Sequence, residues 1–488
     1  MKKILLSCLM LFLSTTISLA STNVKGGIYS NTTWTKANSP YIITDTVVVF
    51  PGVVLTIEPG VTVKFVDNQE LEIRQGQLIA NGTSTDSITF TSNSTTPTPG
   101  IYAGVYLNGG SSESQFRYFN LLYSNNGLQN NTTGNGFIIK ECKIQYNING
   151  IFGGGLGNHS VLDSCIIKNN TGWAIGEFDS IQNCTISQNY RGVMDGFTLT
   201  NCIIDSNSER GIYENTGSIL NCIIMYNGTG VFAGNPVTIN NCIVNHNTVG
   251  LQPSSNQTIT NCIIDSNQTG IQVGPSGNAA HNYIYSCQIQ YDSIGVNDYG
   301  SNGTGANFFV HNTFENNYFG VILQTNVDSF QCNGFCSNIT YGLKYLNAAN
   351  TSVVTHNYWC EPDSASTEVI IYDGYDNVNE GLVFFMPIDT ACSPHVHGNI
   401  TGINTIINSN LITAYPNPVI NELTVDMHQA IDGTITITNV LGQTVYNTTI
   451  SGDTGSLHKI NTSGLTQGVY FLKIESKGQV FTTKVLKI

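Results

Sequence analysis

Arg191 and Arg210 each stand immediately before a glycine, and Asp195 and Glu214 each lie three residues after it. If the chain repeats with that spacing, arginine lies over arginine and carboxylate over carboxylate on neighbouring turns. Two carboxylates at strand spacing can act as acid and base on a glycoside. Carboxylates with an arginine can instead serve a lyase that removes a proton beside a uronate carboxyl. Arg191 and Asp195 would lie about 13 Å apart along one strand, too far for a single reacting centre. The alternative is a solvated face that simply carries charge. Tyr213, Phe232 and Phe152 each fall two residues after a glycine. They form either a sugar-stacking strip or part of the packing. Asp373 and Asp376, with Asn377, can hold calcium or close a hydrogen-bonded turn. No other cofactor is implied.

Thirteen cysteines make up the remaining reactive inventory. None has CxxC spacing and no histidine sits beside them at metal-ligand spacing, so a zinc site is not expected. Eight occupy a regular column, Cys142, Cys165, Cys184, Cys202, Cys222, Cys242, Cys262 and Cys287. Stacked strands lie about 4.8 Å apart, whereas a disulfide wants Cβ atoms about 3.8 Å apart. A buried, mostly reduced ladder is therefore expected. Cys332, Cys336, Cys360 and Cys392 lie outside that column and are the better disulfide candidates.

Composition limits the rest. Of 488 residues only 10% are charged, against about 25% in an average soluble domain. Lys+Arg is 18 and Asp+Glu is 32, a net charge of −14. So few cations exclude phosphate-neutralising contact with nucleic acid. The 40% hydrophobic content excludes a disordered chain. Asn, Gly, Thr and Ser crowd the spaces between short β-branched runs, which is an all-β composition.

These residues are positioned by a repeat. NCTISQNYRGV, NCIIDSNSERGI, NCIIMYNGTGV, NCIVNHNTVGL and NCIIDSNQTGI follow one another from residue 183 to 271. Glycines recur at 127, 150, 172, 192, 211, 230, 250, 270, 295, 320 and 342. The positions three before and two after each column cysteine are wholly apolar, as is the one after each glycine (Ile151, Trp173, Val193, Ile212 and onward). The position one after cysteine is mixed, which is the period-two signature of strands. One turn of about twenty residues thus holds three short strands and cannot bury its own apolar side chains; stacking turns completes the core. The first Asn of each repeat (183, 201, 221, 241, 261) can pair its amide with the next turn. The second Asn (207, 227, 247, 267) and the glycine suit left-handed corners.

This pattern resembles the right-handed parallel β-helix family, the architecture of pectate lyases and many surface proteins. Thr56-Ile-Glu-Pro-Gly-Val-Thr-Val-Lys-Phe65 is similar to its opening turns. Asn357-Tyr-Trp-Cys360 with IIYDGYDN and GLVFFMP is similar to its terminal turn, Cys360 standing where glycine is usual. The all-β chain is therefore expected to be a parallel β-helix solenoid over 21–396, about fifteen turns long. Cap turns occupy 21–115 and 346–396, with regular repeats at 116–345 between them.

The termini carry addresses. Met1-Lys2-Lys3, an apolar run and small residues before Ala20 read as a signal peptide over 1–20, cut between Ala20 and Ser21. Its loss removes two lysines, so 16 − 32 leaves −16. After a polar linker at 397–411, residues 412–488 alternate strictly, which suggests a small C-terminal β-sandwich of six to seven strands. Tyr415-Pro416-Asn417-Pro418, Gly442, Gly468, Tyr470 and Lys484 resemble the type A sorting domain of the type IX secretion system of Bacteroidota. The resemblance implies a partnership with that machinery and a secreted or cell-surface location; no later segment is long and apolar enough to span a bilayer, so no transmembrane segment is expected in the mature chain. The functional expectation is a glycan-binding or adhesive protein whose partner is a polysaccharide or surface glycan. A secreted polysaccharide lyase or glycoside hydrolase is the alternative.

Overall fold

The computed structural model describes residues 21–390 and 413–487 apart from short segments at 110–113, 132–135, 155–158, 197, 214–216, 275–278, 301–304, 326, 416–418, 427–431, 440–442, 452–456, 467 and 477–478. The chain forms two compact units, residues 1–395 and 396–488.

In the first unit each repeat folds as one three-stranded turn. A typical turn runs through Ser218–Leu220, Ile223–Met225 and Thr229–Ala233. Each strand pairs in parallel with its counterpart one turn on: Ile219 with Ile239, Ile224 with Val244, Val231 with Leu251. The first strand of the turn belongs to a 14-stranded parallel sheet with one strand per turn, against about fifteen turns expected. Ile219, Cys222, Ile224 and Val231 are all buried, as are their equivalents on neighbouring turns. The aliphatic columns therefore stack into one continuous core, with Phe309 on Phe330 and Phe335 on Trp359 extending it toward the C-terminal cap.

The corners differ from the sequence expectation. Left-handed backbone falls on the first Asn (183, 201, 221, 241 and 261) and on the residue before the second Asn (Gln188, Ser206, Tyr226, His246, Ser266). Neither the second Asn nor glycines 192, 211, 230, 250 and 270 are left-handed. These glycines serve close approach instead. A Cβ on Gly230 would lie 2.5 Å from the carbonyl oxygen of Gly250, and one on Gly250 2.5 Å from that of Gly270. One apolar position was also misplaced. Trp173 is half-buried and in register with Arg191, while Ile175 pairs with the buried Val193. Ala174 takes the repeat glycine's place there, four residues after Asn170 just as Gly211 is four after Asn207, so Gly172 stands two positions too early to fill it.

The second Asn column builds the main cross-turn polar contact. The backbone N–H and Nδ2 of Asn207 both donate to Oδ1 of Asn227, at 3.0 Å each. Nδ2 of Asn207 also donates to the Ile186 carbonyl. Asn147, Asn170, Asn189, Asn227 and Asn247 repeat this arrangement. A corner turns backbone polar groups away from the sheet ladders, and each rung supplies the partners they need. The first Asn column pairs as expected in places, at the surface: Asn241 Nδ2 lies 2.7 Å from Asn221 Oδ1.

The cysteine column does the same work with sulfur. The eight cysteines are free and buried. The Cys142 N–H donates to Cys165 Sγ at 3.4 Å, and Cys165 Sγ contacts the carbonyls of Asp163 and Ile139. Beyond Cys287, whose N–H donates to Asn312 Oδ1, the column continues as Asn312, Asn333 and Asn357, joined by side-chain amide hydrogen bonds. Burial pushes the Cys165 and Cys242 thiols up, away from the reactive thiolate. Of the four cysteines outside the column, Cys336 and Cys360 form a disulfide and Cys332 is disulfide-bonded; Cys392 lies outside the described residues. Cys360 takes up φ 58°, a conformation glycine adopts without strain.

In the second unit, strands Thr413–Tyr415, Glu422–Asp426 and Leu457–Asn461 form one antiparallel sheet, and Gly433–Asn439, Thr444–Ile450, Gly468–Ser476 and Gln479–Lys487 the other. Leu423, Val425, Ile435, Leu472 and Ile474 form its own core.

One rung of the second Asn column is an acid. Asp292 Oδ1 accepts from the N–H and Nδ2 of Asn267, but its Oδ2 is buried without a partner. That atom stands where other rungs donate to a carbonyl, so it needs a proton. Burial holds the Asp292 carboxyl well above the usual range, against the bonds from Asn267 that favour the charged form. A raised folded pKa stabilises the fold fully below the ordinary aspartate value of about 3.9 and loses that contribution as pH rises toward the folded value. Asp292→Asn is therefore expected to stabilise the chain by about 1–3 kcal/mol at pH 7. In urea titrations the difference should shrink toward pH 4. Equal midpoints at pH 7 would contradict this.

Candidate functional site

The third strand of each turn presents two outward columns. The one before the corner glycine runs Trp173, Arg191, Arg210, Thr229 and Val249 in register. The one after it runs Met194, Tyr213, Phe232 and Gln252. Small corner residues and inward Val193, Ile212 and Val231 hold these strands against the core, so the neighbouring side chains can only point outward.

Rings and guanidinium groups interleave along these columns. The Arg210 guanidinium lies 4.6 Å from the Tyr213 ring centre and 4.7 Å from that of Phe232. Arg191 lies 5.0 Å over Trp173 and 5.1 Å over Tyr190. Tyr213 stacks on Phe232 at 5.3 Å and leans against Trp173 at 5.6 Å. The negative ring faces hold the cations in place, while each planar guanidinium keeps N–H donors for an incoming oxygen.

Glu209 joins the two arginines. Its Oε2 accepts from Arg191 Nε at 2.5 Å, and its Oε1 lies 3.8 Å from Arg210 Nε. The Arg191 bond holds the Glu209 carboxyl below its usual range and raises Arg191. Glu209 is thus shared between the two cations.

The structure thus brings together Arg191, Arg210, Tyr213 and Phe232. Phe152 lies in the same outer column, in register with Gly176. Asp195 closes its strand in a left-handed conformation, its N–H donating to the Tyr213 carbonyl, and Glu214 lies outside the described residues. Glu209, which the sequence reading did not single out, is a carboxylate that engages Arg191. Its signal was the Ser-Glu-Arg-Gly run, which sets an acid one position before the arginine column.

Asp373 closes a turn. Its Oδ1 accepts from Tyr375 N–H and its Oδ2 from Val383 N–H, while Asp376 Oδ2 accepts from Asp373 N–H. Among the described residues no three or more His, Cys, Asp or Glu side chains group to hold a metal. A separate cleft of about 520 Å³ lies on the 14-stranded sheet, lined by Asn81, Gln115, Phe137, Ile138 and Lys140 among others. Sequence reading missed it, because its walls come from turns that lack the regular repeat. Arg117 at its edge is paired with Glu141 at 2.6 Å.

In the second unit Tyr415 ends a strand in register with Thr424. Tyr470 is buried and donates to the Thr466 carbonyl, Gly468 opens its strand, and Lys484 pairs with Phe471 in the backbone register. Pro416, Asn417, Pro418 and Gly442 lie outside the described residues, as do Ala20 and the 397–411 linker; Ser21 is the first residue described.

Residues 413–488 match the secretion system C-terminal sorting domain, and residues 26–117 match the pectate-lyase like beta helix domain. The sorting domain marks the chain for type IX secretion, to the cell surface or beyond it. Among the described residues no helix is long and apolar enough to cross a membrane. Protein bark beetle of Drosophila melanogaster is 42% identical over 84 residues, which is 17% of this chain and only 3% of that protein. Among solved structures, the A-module of an Azotobacter vinelandii mannuronan C-5 epimerase is 15% identical at a TM-score of 0.32, covering 65% of this chain and 91% of that one. A capsular polysaccharide depolymerase tailspike of an Acinetobacter baumannii bacteriophage is 11% identical at a TM-score of 0.21, covering 89% and 73%. An alginate lyase from Paenibacillus is 12% identical at a TM-score of 0.22, covering 70% and 93%. At such TM-scores the likeness carries no inference about chemistry.

The side chains of Arg191, Glu209 and Arg210 remain 33%, 29% and 30% exposed, so solvent screens their pairing. Glu209→Gln is expected to shift folding stability by no more than about 1 kcal/mol. Chemical denaturation checks this, and a larger loss would make Glu209 structural.

Proposed function

We propose that this parallel β-helix, exported through the type IX secretion pathway, is a glycan-binding protein acting outside the cell. The observation that carries the reading is the outward strip of Trp173, Arg191, Arg210, Tyr213 and Phe232 on four consecutive turns. Sugar rings present faces of C–H bonds, whose partial positive charge suits the negative face of an aromatic ring. Their hydroxyl and carboxyl oxygens suit guanidinium donors. The strip offers both along one line, on strands whose backbone is fixed by pairing on either side. Such a surface needs no reorganisation to receive a ligand, which lowers the entropic cost of binding.

Holding is favoured over cleavage because the carboxylate that engages the arginines is bound in an ion pair. An acid or base must be able to reach the proton it transfers. The Glu209 carboxylate instead serves to orient Arg191.

The test is affinity electrophoresis of the full chain through gels containing alginate, polygalacturonate, xylan or a bacterial capsular polysaccharide. Retention by at least one of them is expected. Tyr213→Ala and Phe232→Ala should each weaken it about two- to tenfold, the range of about 0.5–1.5 kcal/mol for a single aromatic contact. Retention unchanged in the Trp173→Ala/Tyr213→Ala/Phe232→Ala chain would overturn the assignment. Release of reducing ends or unsaturated uronates would turn the reading toward a hydrolase or a lyase.

A further inference from the structure

We propose that the same face carries a second ring-and-cation subsite, formed by Phe319, Tyr341, Lys344 and Tyr372. The ligand is then a linear glycan lying along the solenoid axis and held at two points. This rests on the glycan-binding reading above and extends it to ligand shape and length.

The pairing register places both subsites in the same two columns. The column of Trp173, Arg191 and Arg210 continues through Thr229, Val249, Thr269 and Ile294 to Phe319 and Tyr341. The column of Tyr213 and Phe232 reaches Gln252, and further along the face runs Gln272, Asn297, Ile322, Lys344 and Tyr372. At its far end the chemistry of the first subsite returns. Lys344 Nζ lies 5.2 Å over the Phe319 ring and 5.1 Å over that of Tyr372. Phe319 and Tyr341 are parallel within 11°, and Tyr341 leans on Tyr372 at 5.4 Å. Tyr318, 50% exposed, packs edge-on against Phe319 and widens the surface.

Between the two subsites the outer column presents the amides of Gln252 and Gln272, followed by Asn297, whose Nδ2 donates to the Tyr299 hydroxyl at 3.1 Å and whose Oδ1 is buried. The glutamines have the donors and acceptors that sugar hydroxyls use. From Arg210 to Phe319 is five strand steps, and at roughly 4.8 Å a step the subsites lie about 24 Å apart. A short oligosaccharide can occupy one of them. A chain that spans the interval engages both, and its second contact is intramolecular, which raises avidity by about 10²–10⁴. A folded protein partner would have no reason to match rings at both ends of an amide track in a straight line, whereas an extended polymer does so by its own repeat.

The experiment measures binding of size-fractionated oligomers of alginate (acidic) and xylan (neutral) to the full chain by titration calorimetry, beginning with whichever polysaccharide the gels retain. Affinity is expected to rise by about a hundredfold once the oligomer exceeds the 24 Å span, and little before. Tyr372→Ala, and the milder Lys344→Gln that leaves the rings in place, should remove that step yet leave short-oligomer affinity unchanged. A smooth rise with length, or a step that survives both variants, would overturn the two-point proposal while leaving the first subsite standing. No binding at any length would overturn the glycan reading itself.

Discussion

Everything in the first unit depends on turns stacking in one register with no slack between them. A parallel strand pair fixes the spacing along the axis, and each turn closes with three corners where the backbone leaves its ladder. The polar groups at those corners are buried, and a buried unpaired N–H or C=O is costly. The amide rungs meet the need by reaching one turn ahead and one behind, as Asn207 does with Asn227 and Ile186. Sulfur does so less strongly at the cysteine corner, and asparagine replaces it from Asn312 onward. The glycines that open the third strand, beside the Asn corner, have no room for a side chain. The third corner, before the next turn's first strand, is again met by side-chain amides, as Gln257, Asn282 and Asn307 show.

That constraint produces the candidate site. Once register is fixed, a residue type repeated once per turn becomes a straight row on the outside. Arg191 above Arg210 and Tyr213 above Phe232 follow from pairing alone. The rows need no loop to shape them, and their rigidity comes from the buried columns beneath. A surface of this kind is long and regular, which suits a polymer with its own repeat better than a small metabolite. The sorting domain takes the chain to the cell surface or beyond it, where the face is open to extracellular partners.

Much of this was legible in the sequence, for a physical reason. Period-two alternation and the twenty-residue repeat each report burial directly, so the three strands, the aliphatic columns and the free cysteine ladder could be read from residue types. The stacking of Arg191 on Arg210 followed from the same alignment. The corners were harder. Asparagine and glycine both tolerate left-handed backbone, so their presence did not say which corner needed that and which needed a buried amide or no side chain. Trp173 was placed inward because Gly172 was aligned with the repeat glycines although Ala174 fills that position, a shift that only the backbone register reveals. Glu209 went unnoticed because an ion pair across turns joins residues 18 apart in sequence. The cleft beside Arg117 comes from irregular turns and left no periodic trace.

The most direct test of the account is a crystal structure of the full chain with a bound oligosaccharide longer than about 24 Å, from whichever polysaccharide is retained. The account predicts a sugar chain running parallel to the solenoid axis, with rings against Tyr213 and Phe232 and oxygens within hydrogen-bond reach of Arg191 or Arg210. A chain seated in the cleft lined by Asn81, Gln115 and Lys140, or one crossing the strands elsewhere on the solenoid, would contradict it.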